Sequence, residues 1–409
     1  MRVEHLQLLE VRNYPRLDLD LQPGVTTFIG PNAQGKTNLL ESISYLALGR
    51  SHRTSTDQAM IRLGAESAVI RAEARSDAGQ RIAVSVELRR GRNRAQLNGQ
   101  PMARMADAFG QIRSVLLAPE DLVLVRGDPA DRRRFLDDLL GGRRATYAGL
   151  RADLDRALTQ RNAVLREARA QGRLQRDVLE VWTDTYVNLA GPVLAARIAA
   201  VHALTDPVRT AYADLVADSP VHDVERLPVL RYELSHGRHV PGVTGEAIPD
   251  PAELAAELQL ALAERQSDEV RRGMTLAGPH RDELHLAIGP LPAKGYASHG
   301  EQWSVALALK LASHSVIAEV GDEPIVLLDD VFAELDDHRR RRLAERCAAF
   351  DQVLVTSAVG TEVPLDGMRY EVRGGTVSDL RSAADRPRDV AREAGPSPSP
   401  GSPAPGSGP

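Results

Sequence analysis

Apolar and polar residues alternate through much of the first hundred positions. Val3, Leu6 and Leu8 open a strand, and Leu17, Leu19 and Leu21 alternate with Asp18 and Asp20. Val25 to Ile29 is a β-branched run that ends on Gly30. The period then changes: Leu39, Leu40, Ile43, Leu46 and Ala47 recur at helical spacing within 38–48. Alternating runs at Ala68 to Ala74 and Ile82 to Leu88 flank the turn Asp77-Ala78-Gly79, and Asn98-Gly99 marks another turn. From Asp131 to about Arg272 strand patterns almost vanish, and 145–170 and 174–216 predict long helices. Prolines and glycines between Ser219 and Asp250 interrupt them, with a short strand at Val229 to Leu234 before a helix over 251–272. After Gly273 strands and helices alternate: strand Glu283 to Ile288, helix Gln302 to Ala318, strand Ile325 to Asp329, helix Asp337 to Phe350, strand Gln352 to Thr356.

These patterns predict an α/β domain split by a mainly helical insertion. The expected parts are 1–125, a helical arm over 126–274, a second α/β part over 275–383, and a disordered tail over 384–409. The tail follows from composition: every residue from Gly395 to Pro409 is Gly, Pro, Ser or Ala. No apolar run approaches the roughly 18 residues that span a bilayer, and Met1 to Gln7 does not read as a signal peptide. One cysteine, Cys347, excludes a disulfide framework and a cysteine zinc site. A cytoplasmic protein without a membrane partner is the expectation.

Charge sharpens this. The net charge is −5, so a nucleic-acid partner requires a local basic patch. Residues 126–176 supply one, with thirteen arginines against seven acids. Arg132, Arg133, Arg134, Arg143 and Arg144 are its candidate DNA contacts, since guanidinium forks suit phosphate without reading sequence. Arg89, Arg90, Arg92 and Arg94 form a second basic run, and Arg339 to Arg342 read as a solvated helix face. Few aromatics interleave with these arginines, which favours duplex backbone contact over base stacking.

The chain contains three lysines, and one completes a motif. Gly30-Pro31-Asn32-Ala33-Gln34-Gly35-Lys36-Thr37, followed by Asn38, fits G-x-x-x-x-G-K-[ST] between a strand and an amphipathic helix. Its backbone N–H groups and the helix N-terminus suit phosphates, Lys36 reaches the β- and γ-phosphates, and Thr37 can ligate Mg²⁺. The apolar strand Ile325 to Asp329 ends in Asp329-Asp330. The first carboxylate is expected to hold Mg²⁺ and the second to orient or deprotonate the attacking water. ATP and Mg²⁺ are therefore the expected substrate and metal.

Ser298-His299-Gly300-Glu301-Gln302 resembles the signature of ATP-binding-cassette ATPases, with Ser298, Gly300 and Gln302 at its fixed positions. Glu334-Leu335-Asp336 resembles their D-loop. Together with Ala118-Pro119-Glu120-Asp121-Leu122, Arg132-Arg133-Arg134-Phe135-Leu136-Asp137 and Gly278-Pro279-His280-Arg281-Asp282, this order of motifs resembles the RecF family of bacterial recombination-mediator ATPases. The resemblance covers about residues 1–380. It implies an ABC-type P-loop ATPase head split by the arm, with ATP-dependent homodimerisation. It also implies binding to duplex DNA and single-strand/double-strand junctions, a nucleoid location, and work with RecR, RecO and RecA at gaps. In that scheme Lys36, Asp330 and a partner copy's Ser298 carry catalysis. Three departures stand out: Asp330 where a glutamate is usual, Thr356 and Ser357 where a switch histidine is usual, and no clear Q-loop glutamine, with Glu120 near its place. Two rivals are an ATP-dependent nuclease of the overcoming-lysogenization-defect type, which needs a further acidic metal cluster, and an ATP-gated DNA clamp without significant turnover.

Overall fold

The structure, a computed structural model, describes residues 1–217 and 226–380. The expected tail at 384–409 lies outside the described residues. Strands β1 (Arg2–Val11), β2 (Tyr14–Asp20) and β3 (Gly24–Ile29) lead into helix α1 (Lys36–Leu48). Strands β4 (Ser67–Arg75), β5 (Arg81–Arg89), β6 (Arg94–Leu97), β7 (Gln100–Pro101) and β8 (Ser114–Leu117) follow. Val3 and Leu6 are both buried although three residues apart, because the β1–β4 register shifts between Val3 and His5. β1, β2 and β4 to β7 form an antiparallel sheet whose inner face covers α1.

The insertion then begins. Short α2 (Val123–Arg126), α3 (Pro129–Arg143), α4 (Thr146–Gln171) and the long α5 (Arg176–Val216) precede β9 (Pro228–Glu233), β10 (His239–Pro241) and α6 (Pro251–Arg272). α5 is long and apolar enough to cross a membrane, yet it is mostly buried against α4, α6 and the later helix at His299–Ala318. At Gly191 a Cβ would come within 2.2 Å of Pro251 O, so glycine permits the close approach of α6.

β11 (Glu283–Ile288), β12 (Leu291–Pro292), single-turn α7 (Ala293–Tyr296) and α8 (His299–Ala318) come next. β13 (Ile325–Asp329), α9 (Asp337–Cys347), β14 (Gln352–Ser357), β15 (Met368–Arg373) and β16 (Thr376–Asp379) complete the described chain. The central sheet has the order β16-β15-β3-β14-β13-β8, parallel except for β16. Along β13, Ile325 and Leu327 enter the core beside α1, while Val326 and Leu328 enter the core beside α8 and α9. Burial on both faces is why this strand is continuously apolar. β11 pairs with β9, so one sheet crosses the boundary expected at 274/275.

The two arginine- and proline-bearing stretches meet in a buried network. Asp137 accepts from Arg197 at 2.9 and 3.0 Å and from Tyr147 Oη at 2.6 Å. Arg197 also donates to Pro279 O and to Tyr232 Oη, and Tyr232 donates to Asp282 at 2.9 Å. The neighbouring Arg197 holds the Asp137 carboxyl below its ordinary pKa despite burial. His280 bonds Tyr186 Oη at 2.9 Å, and burial depresses its pKa to about 4. Gly278 is required there, since a Cβ would strike Tyr186 Oη.

Candidate nucleotide site

The phosphate loop runs from the end of β3 to the first turn of α1, at the C-terminal edge of the central sheet. Gly35 adopts φ 113°, a left-handed conformation natural to glycine. Gly30 is needed for space, because a Cβ there would lie 2.2 Å from Val372 O. Pro31, Asn32 and Ala33 are exposed at the rim. Lys36 is buried, and its Nζ donates to Gly30 O at 2.7 Å and Pro31 O at 3.1 Å, which holds the ammonium over the loop.

Two turns grip the loop from outside, and neither was legible in the motif. Asn13, between β1 and β2, donates from Nδ2 to Gln34 O at 2.8 Å and accepts from Asn38 Nδ2 at 2.8 Å. Tyr14 Oη donates to Gly35 O at 3.1 Å. Between β15 and β16, Gly374 N donates to Gln34 Oε1 at 2.8 Å and Gly375 N to Gln34 O at 3.3 Å. Behind the loop, buried Glu41 receives a bidentate ion pair from Arg12, with Arg53 3.7 Å away.

The two carboxylates stand at the end of β13. Asp329 Oδ1 accepts from Thr37 Oγ1 at 2.9 Å and from Thr356 Oγ1 at 2.6 Å. Thr356 also accepts from Asp330 N at 3.0 Å, so it orients both acids from the neighbouring parallel strand. Burial raises the pKa of Asp329, the two hydroxyls oppose that rise, and the charges of Asp330 and Glu120 add to it. A buried carboxylate of this kind suits a cation. Thr37 Oγ1 and Asp329 Oδ1, brought together at the sheet edge, are the hydroxyl and carboxylate oxygens that a hard cation such as Mg²⁺ takes as ligands. These two residues fit the metal. Asp330 is half-buried in a left-handed conformation at φ 51°.

The signature sits at the start of α8. Ser298 caps the helix: its Oγ accepts from Glu301 N at 3.3 Å while its own N–H donates to Glu301 Oε2 at 2.8 Å. The cap explains why α8 starts three residues before the expected Gln302. Ser298 is exposed. Gln302 corrects an expectation, because its side chain faces inward, with Nε2 on Ala297 O and Oε1 on Arg126. Gln302 therefore supports the signature turn rather than presenting itself to a nucleotide. Arg339 lies against Gly300 and donates to Ser304 Oγ at 2.9 Å, while Arg340 donates to Phe332 O and Leu335 O. Both were expected on a solvated face; both are instead tied into the D-loop and signature. The side chains of Ser298, His299 and Gln302 bond to Glu301, Arg126 and Ala297, none of them in the phosphate loop.

The arginine patch divides. Arg132 is buried, bidentate to Glu283 at 2.8 and 3.0 Å, and donates to Leu124 O and Gly127 O. Arg133 donates to Asp282 O at 2.7 Å, and Arg143 lies half-buried 3.9 Å from Glu319. Arg132 and Arg133 tie α3 to its neighbours, which corrects the expectation that they face DNA, whereas the Arg143 contact is loose. Arg134 and Arg144 are exposed.

Residues 2–364 match the RecF/RecN/SMC N terminal domain family. The DNA replication and repair protein RecF of Streptomyces avermitilis is 47% identical over 386 residues, covering 92% of this chain and 99% of that protein. The protein of the same name from Cutibacterium acnes is 42% identical over 388 residues, covering 92% and 98%. A solved structure of the recombination mediator protein RecF with ATPrS, in the RecFOR pathway, superposes with a TM-score of 0.81 at 23% identity, covering 93% of this chain and 98% of that one. An Smc head bound to the C-winged helix domain of ScpA gives 0.51 at 16% identity, covering 94% and 99%. These likenesses set the fold as an SMC-like head with a helical insertion, and the sequence identities show that the chain belongs to the RecF family.

Proposed function

We propose that this chain is an ATP-dependent DNA-binding protein of replication and recombinational repair. It binds ATP on the loop at 30–37, dimerises on duplex DNA beside single-strand gaps, helps load a RecA recombinase with RecR and RecO, and releases after slow hydrolysis. The supporting observation is the convergence of Lys36, Thr37, Asp329 and Thr356 at one sheet edge. Thr37 and Asp329 would hold Mg²⁺, which would supply charge neutralisation for the bound phosphates. Lys36 pairs with the γ-phosphate, and Asp330 orients the attacking water. Ser298, exposed at the start of α8, completes the site of a second copy. The nuclease reading lacks support: among the described residues no group of three or more His, Cys, Asp or Glu is placed to hold a metal.

The test uses three variants. Lys36→Met loses ATP binding. Ser298→Arg binds ATP as a monomer but neither dimerises nor turns over, while Asp330→Asn dimerises and stays on DNA. Mixing Lys36→Met with Ser298→Arg protein regains hydrolysis, because one composite site is intact. Wild-type dimerisation and turnover by Ser298→Arg would rule the composite site out.

A further inference from the structure

The segment after β8 touches both the nucleotide site and the signature. Leu117 pairs with Leu328, which sets Ala118 beside Asp329. Asp121 then accepts from Ala118 N at 2.8 Å and pairs with Lys310 of α8 at 3.0 Å. At the far end, Arg126 closes α2 and turns its guanidinium onto the first turn of the same helix α8. Its Nε donates to Gln302 Oε1 and its Nη2 faces His299 Nδ1. A guanidinium only donates, so His299 Nδ1 is the acceptor and the ring proton is on Nε2. Gln302 is thereby fixed at both ends, since its Nε2 already holds Ala297 O at 2.6 Å, next to Ser298.

We propose that Arg126 is a positioning residue: it holds the signature turn in the orientation that a second copy's nucleotide requires. The residues Ala118 to Gly127 form a strut pinned to α8 at Lys310 and again at His299 and Gln302. Its near end lies beside Asp329, and its far end sets Ser298 and the donor on His299 Nε2. Arg339 braces the opposite side of the turn at Gly300 and Ser304, so loss of Arg126 loosens the turn without unfolding α8.

This rests on the composite-site reading, and the experiment separates the two. Arg126→Ala is expected to bind ATP as a monomer like wild type, by fluorescence anisotropy. Its ATP-induced dimer should be weaker by about tenfold or more, since two hydrogen bonds to a charged donor are removed. Gln302→Ala should reproduce the defect, and Arg126→Lys should recover part of it. Mixing Arg126→Ala with Lys36→Met protein then decides where Arg126 acts. The one site with an intact Lys36 belongs to the Arg126→Ala copy and faces the signature of the other copy, whose Arg126 is intact. Hydrolysis above that of either protein alone is expected. No regained hydrolysis, weakened monomer binding, or a wild-type dimer from Arg126→Ala would each overturn the role of Arg126. Absence of any ATP-dependent dimer in the wild type would instead overturn the composite site.

Discussion

Thr37 Oγ1 and Asp329 Oδ1 stand 2.9 Å apart, although 292 positions separate them in the chain. β3 and β13 both lie beside β14, and this arrangement brings the hydroxyl and the carboxylate together from opposite ends of the sequence. Thr356 on β14 bonds the same oxygen, so the strand between them orients the acid.

That geometry predicts a metal-specific defect. Thr37→Ala and Asp329→Asn should lose the Mg²⁺-dependent part of ATP affinity and keep the part that survives chelation. Mg²⁺ with ATP should raise the melting temperature of the wild type, and this rise should disappear in both variants. Asp329→Asn alone should be no less stable than the wild type at neutral pH, because burial disfavours the charged carboxylate. A variant with a full Mg²⁺-dependent shift would remove these residues from the metal site.

A second prediction concerns Asn13. It donates to Gln34 O and accepts from Asn38, on either side of Gly35. Asn13→Ala leaves both groups without these bonds, and the loop loses its fixed shape. ATP affinity should fall roughly tenfold, the size expected when hydrogen bonds of this kind are removed, while circular dichroism stays that of the wild type. Asn13→Asp turns a carboxylate oxygen toward Gln34 O and adds negative charge beside the loop, so its affinity should fall at least as far as that of Asn13→Ala. Wild-type binding by Asn13→Ala would show that the loop holds its shape unaided.

The contrast between Lys36 and Asn13 shows how far the sequence was readable. The phosphate loop is contiguous, and its glycines and lysine are tied to backbone chemistry that any such loop needs. Strand periodicity placed β3, α1 and β13 because burial on one face or two leaves a period. Asn13, Arg126 and Thr356 act through distant segments of the chain, and no local pattern marks such a partner. Arg132 was misread for a related reason. A count of charges cannot tell Arg132, which meets Glu283 on a strand 151 positions away, from exposed Arg134. The β9–β11 pairing was equally hidden, since pairing across an insertion depends on how the insertion folds back.

A third prediction follows from His280. Burial lowers its pKa to about 4, whereas the unfolded chain has its ordinary value near 6.5. Between these values the unfolded state binds the extra proton, so the contribution of His280 to stability is present above pH 6.5 and is lost as pH falls toward 4. The loss amounts to at most about 1.4 kcal/mol per pH unit. Asp282, whose pKa burial raises, pushes the other way, so the difference between wild type and His280→Gln carries the test. Urea unfolding at pH 7.5 and 5.5 should show the wild type losing more stability than the variant. Equal losses would mean that His280 titrates normally in the folded protein.

The last prediction separates structure from DNA binding among the arginines. Arg132→Glu places a carboxylate against Glu283 and leaves Leu124 O and Gly127 O without their donor. Breaking a buried pair in this way costs about 3–5 kcal/mol, so the variant should melt much earlier whether or not DNA is present. Arg134 and Arg144 are exposed, and Arg134 has only a loose pair with Asp131 at 3.5 Å. Reversing both should leave the melting temperature nearly unchanged. If their face meets the duplex, affinity falls, and the slope of log affinity against log salt flattens by about 0.9 for each phosphate that is no longer neutralised. Reversal of Arg90, Arg92 and Arg94, also exposed at the turn between β5 and β6, serves as the comparison. A normal slope for the Arg134 and Arg144 pair with a flattened slope for the β5–β6 turn would move the DNA surface to the antiparallel sheet. A destabilised but normally DNA-binding Arg132→Glu would confirm that the conspicuous Arg132-Arg133-Arg134 run owes its first residue to packing.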